Sequence, residues 1–126
     1  MAVVNTYYIG KLLNSKKEEE VAAGKAVGIF FPNQKDRGAH VNISGIGVTK
    51  YAPNKANAIK FIEFLASQEA QEAFAKGNYE YPVKEGVAWA DLLKSWGKFK
   101  TDEIDLSLLG KNNKKAVITF DEVGWK

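Results

Sequence analysis

Two stretches, "AVGIFF" (26–31) and "AHVNISGIGVTK" (39–50), carry most of the strand signal in this chain, and a two-stranded sheet is marginal alone. The first is a short unbroken apolar run ahead of Pro32, the pattern of a buried strand. The second alternates in its first half, with Val41 and Ile43 on one side and Asn42 and Ser44 on the other. Gly45 and Gly47 then interrupt it, which predicts a bend or a close backbone approach. The run is long for a simple strand and is expected to cross between two bodies. "NQKDRG" between the two runs is a polar turn.

Everything else reads in helical period. Asn5 is a good N-cap for a helix whose stripe is Ile9, Leu12 and Leu13. "SKKEEEVAAG" offers a capping box of Ser15 and Glu18, with Gly24 as its stop. Asn54, after Pro53, opens a helix carrying Ala58, Phe61, Ile62, Leu65 and Ala66. Ser67 caps again before Ala70, Ala73 and Phe74, and Gly77 stops the run, so this region is two helices or one bent helix. "NYEYPV" is extended because Pro82 drives Tyr81 out of the helical region. "AWADLLKSW" is a turn or a short helix, and "KFKTDEIDL" is a connection. "NKKAVITFDEV" (113–123) is the last helix, ended by Gly124, with Trp125 packing back. Four or five helices against two strands predict a helix-rich α/β fragment of a larger sheet protein. Its missing strands lie outside this chain, and Met1 is then not the natural start.

Composition narrows the function. The 126 residues fit one ordinary domain, and 45% hydrophobic residues are enough for a core. Eighteen Lys+Arg against 15 Asp+Glu leave a net charge of only +3, with "KNNKK" the one basic cluster. A dedicated nucleic-acid binder concentrates its basic residues on one face, so no nucleic-acid partner is expected. An anion- or nucleic-acid-binding module without metal is the alternative reading, supported by that cluster and a pI near 9.0. Without cysteine there are no disulfides and no thiolate metal sites, and one histidine, His40, cannot make a His-rich zinc site. No apolar run approaches a membrane span, and no signal-peptide pattern precedes "AVVNTYY". No G-x-S-x-G elbow or other nucleophile arrangement stands out, which argues against an enzyme. Asp102, Glu103 and Asp105 group together but lack calcium-loop spacing. Arg37 reads as a solvated turn residue, and Tyr79 and Tyr81 as packing residues in an extended segment.

The adjacent tyrosines Tyr7 and Tyr8 are the remaining candidates for chemistry. Neighbours in a helix point about 100° apart, so they cannot both face one core. In one reading Tyr7 packs, Tyr8 is partly exposed and Asn5 only caps. In the other, both phenols converge beyond the helix end on a hard cation that stabilises phenolate, with Asn5 and nearby amides holding an anion.

"NTYYIGKLL", "GIFFPNQKDRGAHVNISGIGVTK", "AIKFIEFLASQEAQEAFA", "NYEYPV" and "DEVGWK" occur in this order. Together they resemble the C-terminal part of bacterial periplasmic ferric-iron-binding proteins, the substrate-binding components of iron(III) ABC transporters. The likeness spans nearly all of residues 2–126. It implies a transferrin-like, two-lobed periplasmic-binding-protein fold that holds Fe(III) in the cleft. In that family both adjacent tyrosines are usually phenolate ligands, which match Tyr7 and Tyr8. Each phenol gives up a proton to the metal. Asn5 matches a residue that in some relatives helps hold a small synergistic anion. The resemblance further implies three segments: 1–38 in the second lobe, 39–88 crossing to the first lobe, and 89–126 returning to the second. The family's other ligands come from earlier segments that this chain does not contain. A missing N-terminal part, or a homo-oligomer formed by segment exchange, is expected to complete the cleft. The implied partner is the transporter's membrane component, and the implied location of the intact parent is the periplasm or cell envelope.

Overall fold

The computed structural model describes residues 1–125. Six helices are joined by extended connections: α1 Tyr7–Leu13, α2 Glu18–Ala26, α3 Lys55–Leu65, α4 Gln68–Gly77, α5 Asp91–Ser95 and α6 Ser107–Glu122. The chain divides into two compact units. One holds Met1–Phe30 and Asn42–Lys98; the other holds Phe31–Val41 and the chain from Phe99 onward.

In the first unit α1 and α2 pack on each other through a glycine. Gly24 is buried in the last turn of α2, where an added Cβ would lie 3.1 Å from Leu12 Cβ and 3.2 Å from Leu13 Cδ2. It is therefore a contact, not the expected helix stop: α2 runs on to Ala26. The expected capping box also shifts. Lys17 takes the N-cap position, and the Ser15 hydroxyl donates to Glu20 Oε2 at 2.6 Å while accepting from the Lys17 amide at 3.1 Å. With Lys17 at the N-cap, Glu18 is the first helical residue, and Glu20, at the third, is the carboxylate that Ser15 reaches. Lys17 Nζ pairs with Glu20 Oε1 at 2.9 Å, closing the same corner.

The region 54–78 is two helices. Ser67 separates them because its Oγ accepts from the Ala70 amide at 3.2 Å, a side-chain cap that starts α4. Asn54 holds the N-cap position of α3 but makes no side-chain cap bond. Gln71 joins three pieces: its Nε2 donates to the Leu65 carbonyl at 2.9 Å, and its Oε1 accepts from the Val83 amide at 2.9 Å. The end of α3 is thus tied to the connecting segment 79–84, and Lys84 Nζ adds a 3.2 Å bond to the Ala66 carbonyl. The apolar centre of this unit is small: Ala70, Ala75, Val87 and Leu93 are buried, Leu93 completely. Trp89 meets Tyr81 edge-on with centroids 4.9 Å apart, and burial pushes the Tyr81 phenol up to about 12.

The second unit is organised by the turn 33–38. Gln34 brackets Lys100: its Oε1 accepts from the Lys100 amide at 2.7 Å and its Nε2 donates to the Lys100 carbonyl at 3.1 Å. The Ala39 amide donates to that carbonyl at 2.8 Å, and the Ala39 carbonyl accepts from the Asp102 amide at 2.8 Å. Gly38 is required here, with φ +100° and a Cβ position 2.6 Å from the Thr101 carbonyl carbon. Phe31 stacks on Phe99 with centroids 4.0 Å apart. Arg37, read as a solvated turn residue, is largely exposed and lies 3.6 Å from Asp102.

The two runs expected as strands are extended but form no ladder. Among the described residues the only strand-type pairing is the parallel bridge between Ala39 and Thr101. A strand needs a neighbour for its amides; the second run has one only at Ala39, and among the described residues no bridge pairs the first. α6 starts six residues earlier than the sequence predicts. The Asp105 carboxylate accepts from the Ser107 amide at 2.9 Å, and Gly110 does not break the helix. Gly124, at φ +66°, ends it as expected. The Trp125 amide donates to the Phe120 carbonyl at 2.9 Å and the two rings lie 6.3 Å apart.

Candidate metal centre

Tyr7 and Tyr8 occupy the first turn of α1. Asn5 is not the N-cap: Thr6 takes that position with helical dihedrals and makes no side-chain cap bond. The Asn5 amide is used differently, with Nδ2 donating to the Tyr7 hydroxyl oxygen at 3.2 Å. The two phenol rings do not diverge. Their centroids are 4.5 Å apart with planes inclined at 44°. The neighbouring Tyr7 phenol, first as a hydrogen-bonding group and then through its charge, together with desolvation, raises the Tyr8 phenol above its ordinary value. Tyr7 is half-buried and Tyr8 is exposed. Two hard oxygen donors and one amide therefore meet at a solvent-accessible tip.

Lys11, which the sequence reading passed over, belongs to the same cluster. Its Nζ lies 5.2 Å from the Tyr7 ring centroid and 5.8 Å from that of Tyr8. The signal was present in the spacing, because residues three and four apart share a helix face. The ammonium sits over the negative faces of both rings.

α1 itself is held at three places. The Asn14 side chain donates to the Gly10 carbonyl at 2.9 Å and closes the C-terminal turn. Leu12 and Leu13 meet Gly24 of α2. Gly10, the buried residue of α1, faces Tyr79. His40 is exposed. Among the described residues no three His, Cys, Asp or Glu side chains gather as a metal cluster, so Asp102, Glu103 and Asp105 form none.

The chain has clear relatives. Residues 2–101 match the family described as bacterial extracellular solute-binding proteins. Over 126 residues the chain is 48% identical to iron uptake protein A1 of Synechocystis, covering all of this chain and 35% of that protein. It superposes with a TM-score of 0.91 and 54% identity on a Trichodesmium protein (IdiA, FutA) solved in complex with iron and citrate, covering 98% of this chain and 39% of that one. A ferric binding protein from Campylobacter jejuni superposes with a TM-score of 0.91 and 47% identity, over 99% of this chain and 40% of that one. The chain thus spans about two fifths, or slightly less, of the length of these relatives.

Proposed function

The chain belongs to the bacterial extracellular solute-binding proteins, and from that premise we propose that it is part of a ferric-iron-binding protein in which Tyr7 and Tyr8 are two of the iron ligands. The observation that carries this reading is the convergence of the two phenols at the tip of α1, with the Asn5 amide bonded to the first. Two phenolate oxygens this close repel each other, and a trivalent hard ion between them reverses the sign of that interaction. The names of the relatives agree with iron as the ion.

The work of the site is capture, not catalysis. Two phenolates leave most of the coordination sphere of Fe(III) open. The remaining positions are filled by a small anion beside Asn5 and by ligands from segments outside this chain. Residues 1–38 and 89–126 are assigned to one lobe and 39–88 to the other; Lys126 lies outside the described residues. The missing body is supplied by the rest of the parent protein or by a second copy exchanging segments. The parent delivers its iron to the membrane component of an ABC transporter and works in the periplasm or cell envelope.

The test is the visible phenolate-to-iron charge-transfer band of the ferric-citrate-loaded parent protein. Changing Tyr7→Phe and Tyr8→Phe together is expected to abolish the band, and each single change to weaken it. A band that survives the double change removes both tyrosines from the site.

A further inference from the structure

We infer that Tyr79 is a positioning residue for the tyrosine pair, fixing the rotation of α1 by seating its ring base on Gly10. Its consequence for iron rests on the metal reading above; the contact itself does not.

α1 has seven residues, well below the length at which a helix holds itself together in water, and it has no side-chain cap at its start. Its orientation must come from what it touches. Gly10 is buried, and Tyr79 is the wall there: a Cβ at position 10 would lie 2.6 Å from both Cβ and Cδ2 of Tyr79. Only a residue without a side chain allows this approach. Gly10 is two residues after Tyr8, so it lies about 200° round the helix from it. Tyr79 thus braces α1 from roughly the side opposite Tyr8.

The backbone at Tyr79 points the same way. α4 ends at Gly77 with Asn78 as C-cap, which makes Tyr79 the next residue, and it sits at φ +60°. Helices commonly end with a left-handed residue at this place, and it is usually glycine. A bulky aromatic there is a true outlier. Glycine would close α4 with less strain. What the tyrosine adds is the ring that lies against α1.

Three variants separate positioning from a merely structural role. Tyr79→Gly suits the left-handed backbone and deletes the ring. Tyr79→Phe keeps the ring. Gly10→Ala attacks the contact from the other side. Without metal, ring-to-ring NOEs between Tyr7 and Tyr8 and the Asn5 side-chain amide shift report the geometry of the tip. Tyr79→Phe is expected to match the wild type. Tyr79→Gly is expected to keep its helical circular dichroism yet lose the NOEs, as is Gly10→Ala where it folds. In the iron-loaded parent, Tyr79→Gly is expected to shift the charge-transfer band and to weaken iron binding about 10- to 100-fold, the usual effect of losing an outer support. Wild-type NOEs in Tyr79→Gly overturn the inference, whatever the iron result. A wild-type protein that binds no iron defeats the metal reading and leaves the NOE comparison to decide this one.

Discussion

Glu20 shows how one carboxylate is fixed by what precedes it. The Ser15 hydroxyl and then Lys17 hold its carboxyl below the ordinary glutamate value, in a partly exposed setting. A folded value below the unfolded one means the contribution is complete above the unfolded value. It is lost as pH falls through the folded one. The α1–α2 corner is therefore expected to loosen on acidification below the usual glutamate range. Ser15→Ala removes the leading cause and is expected to return Glu20 toward its ordinary value in a carboxyl-detected NMR titration. An unmoved titration would assign the whole effect to Lys17. At this scale the sequence was half legible. Ser15 was recognisable as a capping residue, but its partner was misread. The S-x-x-E spacing is satisfied by Glu18, while the geometry of the bend brings Glu20 to the hydroxyl instead. Lys11 was legible in principle, since its distance from Tyr7 and Tyr8 along a helix is fixed by the backbone.

The helices separate local from distant causes. α4 begins where Ser67 accepts from the Ala70 amide, and that bond is entirely local. Ser67→Ala is expected to cost about 1 kcal/mol, the usual loss of a helix cap, read as a lower denaturation midpoint. Asn54 makes no such bond at the start of α3, so Asn54→Ala is expected to move the midpoint by much less. Equal effects would show that the Ser67 bond contributes nothing. Both helix starts were readable from sequence for the same reason. The two strands were not realised, because 26–31 and 39–50 carry the residue pattern of strands but only Ala39 finds a bridge partner. Gly24 failed as a stop signal because glycine marks a helix end and a close helix approach equally well. Only the position of Leu12 and Leu13 tells the two apart.

Little is buried among the described residues. Leu93 is the one large fully buried side chain among them, and neither α3 nor α6 has a buried residue. Val117, Ile118 and Phe120 of α6 are exposed, as are Phe61 and Phe64 of α3. Apolar area left in water at about 25 cal/mol per Å² is a standing drive to associate. The chain by itself is accordingly expected to self-associate in solution. Light scattering should give a mass above that of one chain, and Val117→Ser with Phe120→Ser should lower it. A single-chain mass for the unaltered sequence would mean these faces need no cover. The family resemblance was legible because five motifs keep their order along nearly the full length. The absence of a ladder was foreshadowed by the shortage of strands.

The sequence by itself determined that the main helices exist, that Ser67 is a capping residue, the family and the adjacent tyrosines. These depend on bonds between residues a few positions apart, or on motifs that survive as strings. Only the tertiary structure decided that both phenols turn to one point, that Asn5 bonds the first of them, and that Gly10 and Gly24 are contact surfaces for Tyr79 and for Leu12 and Leu13. A glycine or a ring has no preferred partner until folding brings one within van der Waals distance, and that partner can stand 69 residues away, as Tyr79 does from Gly10.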